Sequence, residues 1–188
     1  YSPSNNGETY PIEMISHINL IGQGEGVTIL NAEGSEENPR RVITIHSCNN
    51  NTIIGLTIAG GYTTEYGGGI DGQNTSNSTF SNVTISGNVA EKNGGGIYSY
   101  SRTNFTLIDC SILNNRCHHR GGGIYISTYN DFEYQYILSN VIISNNSTRP
   151  LEGEGGGLYI AGGDETEVNL SNVSIINNIS KLGGGISY

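Results

Sequence analysis

Charged residues are scarce in this sequence, basic ones above all, and their scarcity narrows the classes of partner that the chain can have. Only 13% of the 188 residues are charged and none is tryptophan. With 17 acidic residues against eight basic ones, the net charge of −9 disfavours a nucleic-acid backbone or an anionic membrane surface as partner. No run approaches the ~20 consecutive apolar residues of a membrane helix, so we expect no membrane insertion in this segment.

Cysteine is too rare to organise the fold. Cys48, Cys110 and Cys117 are odd in number and too few for a disulfide framework, and the sequence leaves their redox state open. Helix signals are missing as well, because no stretch combines 3.6-residue apolar spacing with a capped start. Helical repeat proteins are therefore excluded.

Glycine, in contrast, is abundant, with 28 copies, and much of it recurs at a fixed interval. Glycine triplets begin at Gly67, Gly94, Gly121, Gly155 and Gly183, so their spacings are 27, 27, 34 and 28 residues. Each triplet is followed by isoleucine or leucine. Such a period is typical of a solenoid, in which one repeat makes one turn of the coil.

A second signature alternates with the triplets. It consists of apolar residues separated by one small, usually polar residue, the period-2 pattern of a strand with one buried face. Its copies are Leu56-Thr57-Ile58, Val83-Thr84-Ile85, Cys110-Ser111-Ile112, Val141-Ile142-Ile143 and Val173-Ser174-Ile175. We therefore predict a single all-β domain over residues 1–188, a parallel β-helix of about six to seven rungs, with N-terminal rungs in 1–49 and regular Gly-Gly-Gly-Ile repeats in 50–188.

Equivalent positions of stacked rungs must form columns along the coil. The apolar positions of the second signature, and the residue after each triplet, are predicted to point inward as the core. A polar column is predicted as an asparagine ladder, in which side-chain amides bond to one another and to the backbone. Its members are Asn88, Asn115, Asn146 and Asn178.

The glycine triplets are interpreted as structural turns, because glycine adopts positive φ without a Cβ penalty. The residues concerned are Gly67, Gly68, Gly69, Gly94, Gly95, Gly96, Gly121, Gly122, Gly123, Gly155, Gly156, Gly157, Gly183, Gly184 and Gly185. A phosphate-binding loop would need a following helix and lysine, and no triplet has them.

At these residues the sequence resembles the repeats of chlamydial polymorphic outer-membrane proteins, which alternate a Gly-Gly-Ala-Ile-like turn with a Phe-x-x-Asn motif. Here the turn is Gly-Gly-Gly-Ile, and the partner motif departs from that spacing. Its copies are Phe80-Ser81-Asn82-Val83, Leu138-Ser139-Asn140-Val141 and Leu170-Ser171-Asn172-Val173. The resemblance implies a right-handed single-stranded β-helix, secretion or surface display, and a role in adhesion or scaffolding, and it carries no catalytic residues.

An enzyme is the alternative, since polysaccharide-degrading hydrolases and lyases use the same fold. Hydrolysis of a glycosidic bond requires a pair of carboxylates across that bond. The four aspartates, Asp71, Asp109, Asp131 and Asp164, fall at non-equivalent positions of different rungs, and the arginines of the repeats show no grouping. We therefore expect no catalytic residues, no cofactor and no metal, while a carbohydrate-binding or polysaccharide-degrading module stays the alternative.

Three local patterns have both a structural and a functional interpretation. Cys117-His118-His119 combines zinc-ligand types, but adjacent residues of an extended segment point in opposite directions, which favours a solvent-exposed loop. The stripe from Thr57 to Ser174 resembles an ice-binding threonine ladder that Ile142 interrupts. Tyrosines after the triplets are predicted to form an outward stripe, a possible surface for binding sugars, although strand propensity alone also explains it. They are Tyr98, Tyr125 and Tyr159.

The two termini lead to an expectation about assembly. The chain begins with Tyr1, which is compatible with a removed signal peptide, and it ends at Tyr188, inside the strand after a triplet. We expect either a fragment of a longer protein or an uncapped subunit that stacks head to tail on its own copies through exposed terminal rungs. The sequence thus predicts a non-catalytic, extracellular or cell-surface protein, an adhesive stalk or filament subunit, whose partners are itself and possibly carbohydrate or a cell surface.

Overall fold

A computed structural model describes residues 1–128, 133–163 and 165–188, and these residues form a right-handed parallel β-solenoid of about six turns. The predicted fold class is confirmed. One four-residue helix, α1 (Pro3–Asn6), precedes the coil. Val, Ile, Thr and Tyr, which favour extended backbone, dominate the strands that follow.

The strands stack into three parallel sheets, one on each side of the coil. The first sheet contains β1 (Ile12–Glu13), β4 (Ile43–His46), β7 (Ile70–Gln73), β10 (Ile97–Tyr100), β14 (Ile124–Ser127), β16 (Leu158–Ala161) and β18 (Ile186–Ser187). The second sheet contains β2 (Leu20–Ile21), β3 (Ile29–Asn31), β5 (Thr52–Ala59), β8 (Ser78–Ser86), β11 (Phe105–Ile108), β12 (Ser111–Leu113), β15 (Tyr134–Ser144) and β17 (Thr166–Ile176). The third, short sheet contains β6 (Tyr62–Thr63), β9 (Val89–Ala90) and β13 (Arg116–Cys117).

The register of the first sheet follows the repeat. Ile97 pairs with Ile70 on one side and with Ile124 on the other, so the residues after the triplets form one inward column. Ile43 pairs with Ile70 in the same way, although Arg40-Arg41-Val42 stands where later rungs have glycines. The last of the N-terminal rungs therefore stacks in the same register as the Gly-Gly-Gly-Ile repeats that follow it.

The core fills the inside of the coil along its length. The predicted inward residues Leu56, Val83 and Ile112 are all fully buried. Cys110 lies in the same interior, 2% exposed, as a small apolar residue. In the last described rung Val173 and Ile175 are only partly buried and Ile186 is 40% exposed, because no described rung lies above them.

All five triplets lie at bends of the coil, but positive φ is confined to the first glycine of each triplet. Gly67 and Gly94 have φ of 65° and 68°, and the first glycines of the other triplets are alike. The second and third glycines are needed for close approach between rungs. A Cβ on Gly68 would lie 2.5 Å from the carbonyl oxygen of Val89, and one on Gly69 would lie 2.6 Å from that of Gly96.

Candidate functional site

The outer face of the first sheet carries the chain's main group of interacting polar and aromatic side chains. Thr44, Asp71, Tyr98, Tyr125 and Tyr159 occupy one outward column, since each pairs with the next in register. A neighbouring outward column holds His46, Gln73, Tyr100, Ser127 and Ala161. Strand alternation sends both columns to the outside, opposite the core isoleucines.

The first part of this face is a polar group that we name the Asp71 cluster: Arg41, His46, Asp71 and Gln73. Asp71 Oδ2 lies 3.0 Å from His46 Nε2 and 3.3 Å from Arg41 Nη2. Gln73 Nε2 donates to Asp71 Oδ1 at 3.0 Å. The Asp71 side chain is only 4% exposed, whereas that of His46 is 44% exposed. A buried carboxylate thus holds three polar side chains in place.

Arg41 anchors the cluster to the backbone. Its Nη2 donates to the carbonyl of Tyr66 at 2.6 Å, and its Nε donates to the carbonyl of Gly67 at 2.8 Å. These bonds join the corner before the first triplet to the strand of Asp71. The guanidinium neutralises the Asp71 carboxylate, so the cluster presents little net charge to solvent.

The second part of the face is a tyrosine stack formed by Tyr66, Tyr98, Tyr125 and Tyr159. Consecutive ring centroids are 4.6, 5.1 and 5.4 Å apart, with interplanar angles of 20°, 11° and 5°. Tyr66 lies at the corner before Gly67 and stacks on Tyr98. It supplies the ring that Asp71, the neighbour of Tyr98 in the outward column, does not have. Burial raises the pKa of the Tyr98 phenol, so it stays protonated.

Cationic side chains cover both ends of the stack. The Lys92 ammonium lies 5.0 Å from the centroid of the Tyr66 ring and pairs with Glu65. The Arg120 guanidinium lies 5.2 Å from the centroid of the Tyr159 ring and pairs with Glu154 at 2.9 Å. Each contact adds a cation–π interaction to the packing of the rings.

The tyrosine stripe lies on the outer face, as predicted, but its rings are too buried to serve as the possible binding surface. Tyr98, Tyr125 and Tyr159 do lie outside the core, but they are 5%, 7% and 9% exposed. Their faces are occupied by one another and by Arg120, so the stripe cannot offer ring faces to a sugar. Tyr100, beside Tyr98 at a centroid distance of 5.8 Å, is the more exposed ring.

The predicted asparagine column forms a continuous ladder of hydrogen bonds. The Nδ2 atoms of Asn88, Asn115 and Asn146 each donate at 3.0 Å to the Oδ1 atom of the next asparagine, up to Asn178. Each Nδ2 also donates to a backbone carbonyl, and each of these Oδ1 acceptors receives a backbone N–H as well. The first three side chains are buried, so the ladder links rungs inside the coil.

A second column was not predicted, although three of its members belong to the partner motif of the sequence analysis. Its members stand immediately before the apolar residues of the second signature, and all have φ between 52° and 64°. They are Gly55, Asn82, Asp109, Asn140 and Asn172. Asn172 donates to Asn140 at 2.8 Å, and Asn140 donates to Asp109 at 2.9 Å. Its recurrence once per repeat, at intervals of 27, 27, 31 and 32 residues, and its restriction to Gly, Asn and Asp were signals of left-handed backbone.

The other candidate sites do not come together. Cys117 is fully buried with a thiol pKa raised to about 12 by burial, and its Sγ donates to the carbonyl of Arg120, so it is no exposed metal ligand. His118 lies beside Arg149, and burial lowers its pKa. Within the described ranges, no group of three or more His, Cys, Asp and Glu side chains is placed to hold a metal ion. Asp131 and Asp164 lie outside the described residues.

The threonine stripe is also unlike an open ice-binding face. Thr84 Oγ1 donates to the Glu25 carboxylate at 2.8 Å, and Thr57 Oγ1 donates to the Glu25 carbonyl at 2.7 Å. The loop that carries Glu25 therefore engages both hydroxyls, and Ile142, 45% exposed, interrupts the stripe.

Comparisons with known proteins agree with the architecture. A family model described as a right handed beta helix region matches residues 16–188. No curated protein and no solved structure is significantly similar to the chain. In the described part of the chain, no helix has the length and apolarity needed to cross a bilayer. The match covers far more than half of the residues, and the chain belongs to the right-handed β-helix family.

Proposed function

We propose that this chain is a non-catalytic extracellular structural protein that serves as a surface stalk or adhesin. One observation carries the proposal: the asparagine ladder ties rung to rung without a break from Asn88 to Asn178. Such a ladder stiffens a solenoid along its axis, because each buried amide satisfies groups of two neighbouring rungs. A stiff rod that displays its outer faces is suited to holding a surface at a distance from its anchor.

The β-helix fold is shared by adhesins and by polysaccharide-degrading enzymes, so the fold alone favours neither. The aspartates of the described residues support the structural role. The Asp71 carboxylate is buried and bonded to Arg41, His46 and Gln73. Asp109 accepts from Asn140 on the second sheet, on another face of the coil. A hydrolase needs two carboxylates facing one bond, whereas these two serve separate columns.

The likeness to chlamydial polymorphic outer-membrane proteins supports surface display. The asparagines of the partner motif, Asn82, Asn140 and Asn172, are exposed corner residues with left-handed backbone. The motif thereby gains a structural meaning, since it marks the bend within each long strand of the second sheet. A carbohydrate-binding or polysaccharide-degrading module is the alternative function, and the Asp71 cluster is the observation that favours it.

End-to-end association with further copies is a second prediction about partners. The rungs repeat in constant register, so a rung of another copy can pair with any rung edge that its own chain leaves uncovered. Electron microscopy and light scattering of the purified protein test this assembly. Filaments with continuous rung spacing would support it, and uniform monomers at every concentration would exclude it.

Localisation is the experiment that tests the main proposal. Antibodies against the purified chain are applied to intact and to permeabilised source cells, together with protease shaving of the intact cells. We expect labelling and cleavage on intact cells. Labelling that appears only after permeabilisation would overturn the extracellular role.

A further inference from the structure

The rungs of β14 and β16 carry opposite charges at the two edges of the first sheet. Arg116 and His118 precede β14 and Arg149 precedes β16, whereas Glu133 follows β14 and Glu165 follows β16. Each of these rungs therefore enters the first sheet at a basic corner and leaves it at an acidic corner. We propose that the two corners join copies of the chain side by side, as parallel rods in a row.

The basic corner extends over three rungs, and we name it the basic column: Arg116, His118, Arg149 and Lys181. Arg116 forms a β-bridge with Ser147, which sets the first two of these rungs in register. The Arg149 N–H donates to the His118 carbonyl, and Arg149 Nη2 lies 3.4 Å from His118 Nε2. Lys181 follows Arg149 by 32 residues, the interval that separates the ladder asparagines of the same two rungs. The column thus presents basic side chains one rung apart, at a spacing of about 4.8 Å.

The cations of the basic column lack a counter-ion. Arg41, Lys92 and Arg120 each pair with a carboxylate, whereas no carboxylate of the described residues forms an ion pair with the column. Glu91 lies near its first rung, where it accepts from a tyrosine hydroxyl at 2.6 Å, and Glu152 lies in the exposed turn after its second rung. Like charges one rung apart repel one another, so an anionic partner stabilises the column.

The acidic corner, which we name the acidic group, consists of Glu133, Glu165 and Glu167. Gln135 pairs in register with Glu167, so Glu133 and Glu165 occupy the same place in consecutive rungs. Gln135 Nε2 donates to Glu167 Oε2 at 3.0 Å, which holds that carboxylate on the outer face of the second sheet. All three glutamates are exposed, and within the described part of the chain none of them forms an ion pair. The acidic group therefore repeats at the same rung spacing as the basic column.

A second copy fits both corners when it is displaced along the strands of the first sheet. This displacement brings the third-sheet side of one copy to the second-sheet side of the next. Because both corners repeat at the rung spacing, Arg149 meets Glu165 of the neighbouring copy at the level of β16. Arg116 likewise meets Glu133 at the level of β14. The contact is heterologous and does not close, so it extends into rows. It is independent of end-to-end pairing, which uses the rung edges, and of where the protein resides.

The net charge of the chain limits the strength of this contact and sets its dependence on salt. Copies with a net charge of −9 repel one another at long range. Salt at about 0.15 M screens that repulsion beyond about 8 Å but leaves close ion pairs, whereas about 1 M salt shortens the Debye length to about 3 Å and weakens the pairs as well. We therefore expect a weak association that is strongest at moderate salt.

Sedimentation equilibrium of the whole chain at about 0.15 M and about 1 M NaCl tests the proposal. We expect self-association at the lower salt concentration and its loss at the higher one. Reversal of either corner, by Arg149→Glu with Lys181→Glu or by Glu165→Lys with Glu167→Lys, should weaken the association about 10-fold or more. An equimolar mixture of the two double variants should restore it, because each supplies the charge that the other lacks.

Glu36→Lys with Glu37→Lys is the matched control. It changes the net charge by as much as reversal of the acidic group does, but in the exposed turn of residues 35–38. This control should associate no less than the parent chain. Circular dichroism verifies folding, and Arg149→Gln with Lys181→Gln carries the test if the charge reversal prevents folding.

Carbodiimide cross-linking of a mixture of isotopically light and heavy chains locates the contact. The chain has two lysines, Lys92 and Lys181. We expect Lys181 to be joined to Glu165 or Glu167 of another copy, whereas Lys92 joins Glu65 within its own chain as an internal control.

Three results would overturn the proposal. The first is a parent chain that stays monomeric at both salt concentrations, and the second is a pair of double variants that associate as the parent does or whose mixture restores nothing. The third is a monomeric parent chain that binds poly-L-glutamate through Arg149 and Lys181, which assigns the basic column to a different acidic partner. The proposed surface role is unaffected by each of them, because surface labelling measures it separately.

Discussion

The Asp71 carboxylate and the His46 imidazole meet at 3.0 Å across neighbouring strands of the first sheet. Arg41 approaches the same Oδ2 atom from the corner of the preceding rung at 3.3 Å. Arg41 and His46 precede Asp71 by 30 and 25 residues, and they reach it because the strand of His46 pairs with the strand of Asp71 in the first sheet. Either charged side chain of this nearly buried ion pair would be left without its counter-ion if the other were removed, so the stability of the fold depends on both.

Asp71→Asn is therefore predicted to destabilise the chain by about 3 kcal/mol, since it leaves the Arg41 charge without its counter-ion while keeping the side-chain shape. Asp109→Asn is the matched control, because Asp109 is exposed and asparagine tolerates its φ of 53°. Urea unfolding followed by circular dichroism measures both variants. Equal stability of the two variants would show that the Asp71 cluster contributes nothing to the fold.

The asparagine ladder predicts a large effect from a single amide. Asn115→Ala removes an acceptor for two donors of Asn88 and a donor to Ile85 and Asn146. Because these groups stay buried without partners, we expect a loss of about 3 kcal/mol or more. Ser111→Ala, outward in the same rung, should change stability by less than about 0.5 kcal/mol. An equally small loss of stability for Asn115→Ala would contradict the interpretation of this column as a ladder that stabilises the coil.

Three glycine variants separate close approach from backbone conformation. Gly95→Ala would place a Cβ 2.4 Å from the Gly122 carbonyl oxygen, so we expect a loss of about 3 kcal/mol or failure to fold. A Cβ on Gly87 would meet no atom within 4 Å, but the residue has φ of 64°, so Gly87→Ala is predicted to lose about 1 kcal/mol of stability. Gly26→Ala has neither problem and should be neutral. Thermal unfolding ranks the three variants by stability. A Gly87→Ala variant less stable than the Gly95→Ala variant would refute the predicted order.

The buried thiols predict a loss of stability in alkali. Burial raises the pKa of Cys110 to about 11 and that of Cys117 to about 12, against 9.0 for a free thiol. Between pH 9 and 11 the folded chain keeps protons that the unfolded chain releases, so stability falls as pH rises, by up to about 1.4 kcal/mol per group and pH unit. Urea unfolding at pH 7, 9 and 10.5 measures the slope. Constant stability across this range would show that both thiols titrate normally.

The repeat made most of the fold predictable. The triplet and the second signature supplied the strands, the inward columns and the positions of the ladder asparagines, because each rung repeats the same chemistry. The Asp71 cluster was missed since the rung of Ile43 has Arg40-Arg41-Val42 where later rungs have glycines. The 27-residue interval from His46 to Gln73 was the signal that could have joined them.

The burial of the tyrosines could not be read from strand alternation. Alternation gave Tyr98 its outward direction, and that direction was right. Its exposure depends on Tyr66, which reaches in from a corner to lie 4.6 Å away. At the other end Arg120 covers Tyr159 in the same manner. Such contacts are set by corner geometry, which the sequence pattern of the strands does not contain.

The non-catalytic role is the central claim, and product release tests it most directly. The purified chain is incubated with neutral and anionic polysaccharides, and new reducing ends and the unsaturated products of elimination are measured over time. We predict no product above the rate of a heat-denatured control. Sustained product formation by the parent chain that His46→Ala or Asp71→Asn abolishes would contradict the account and make the Asp71 cluster an active site.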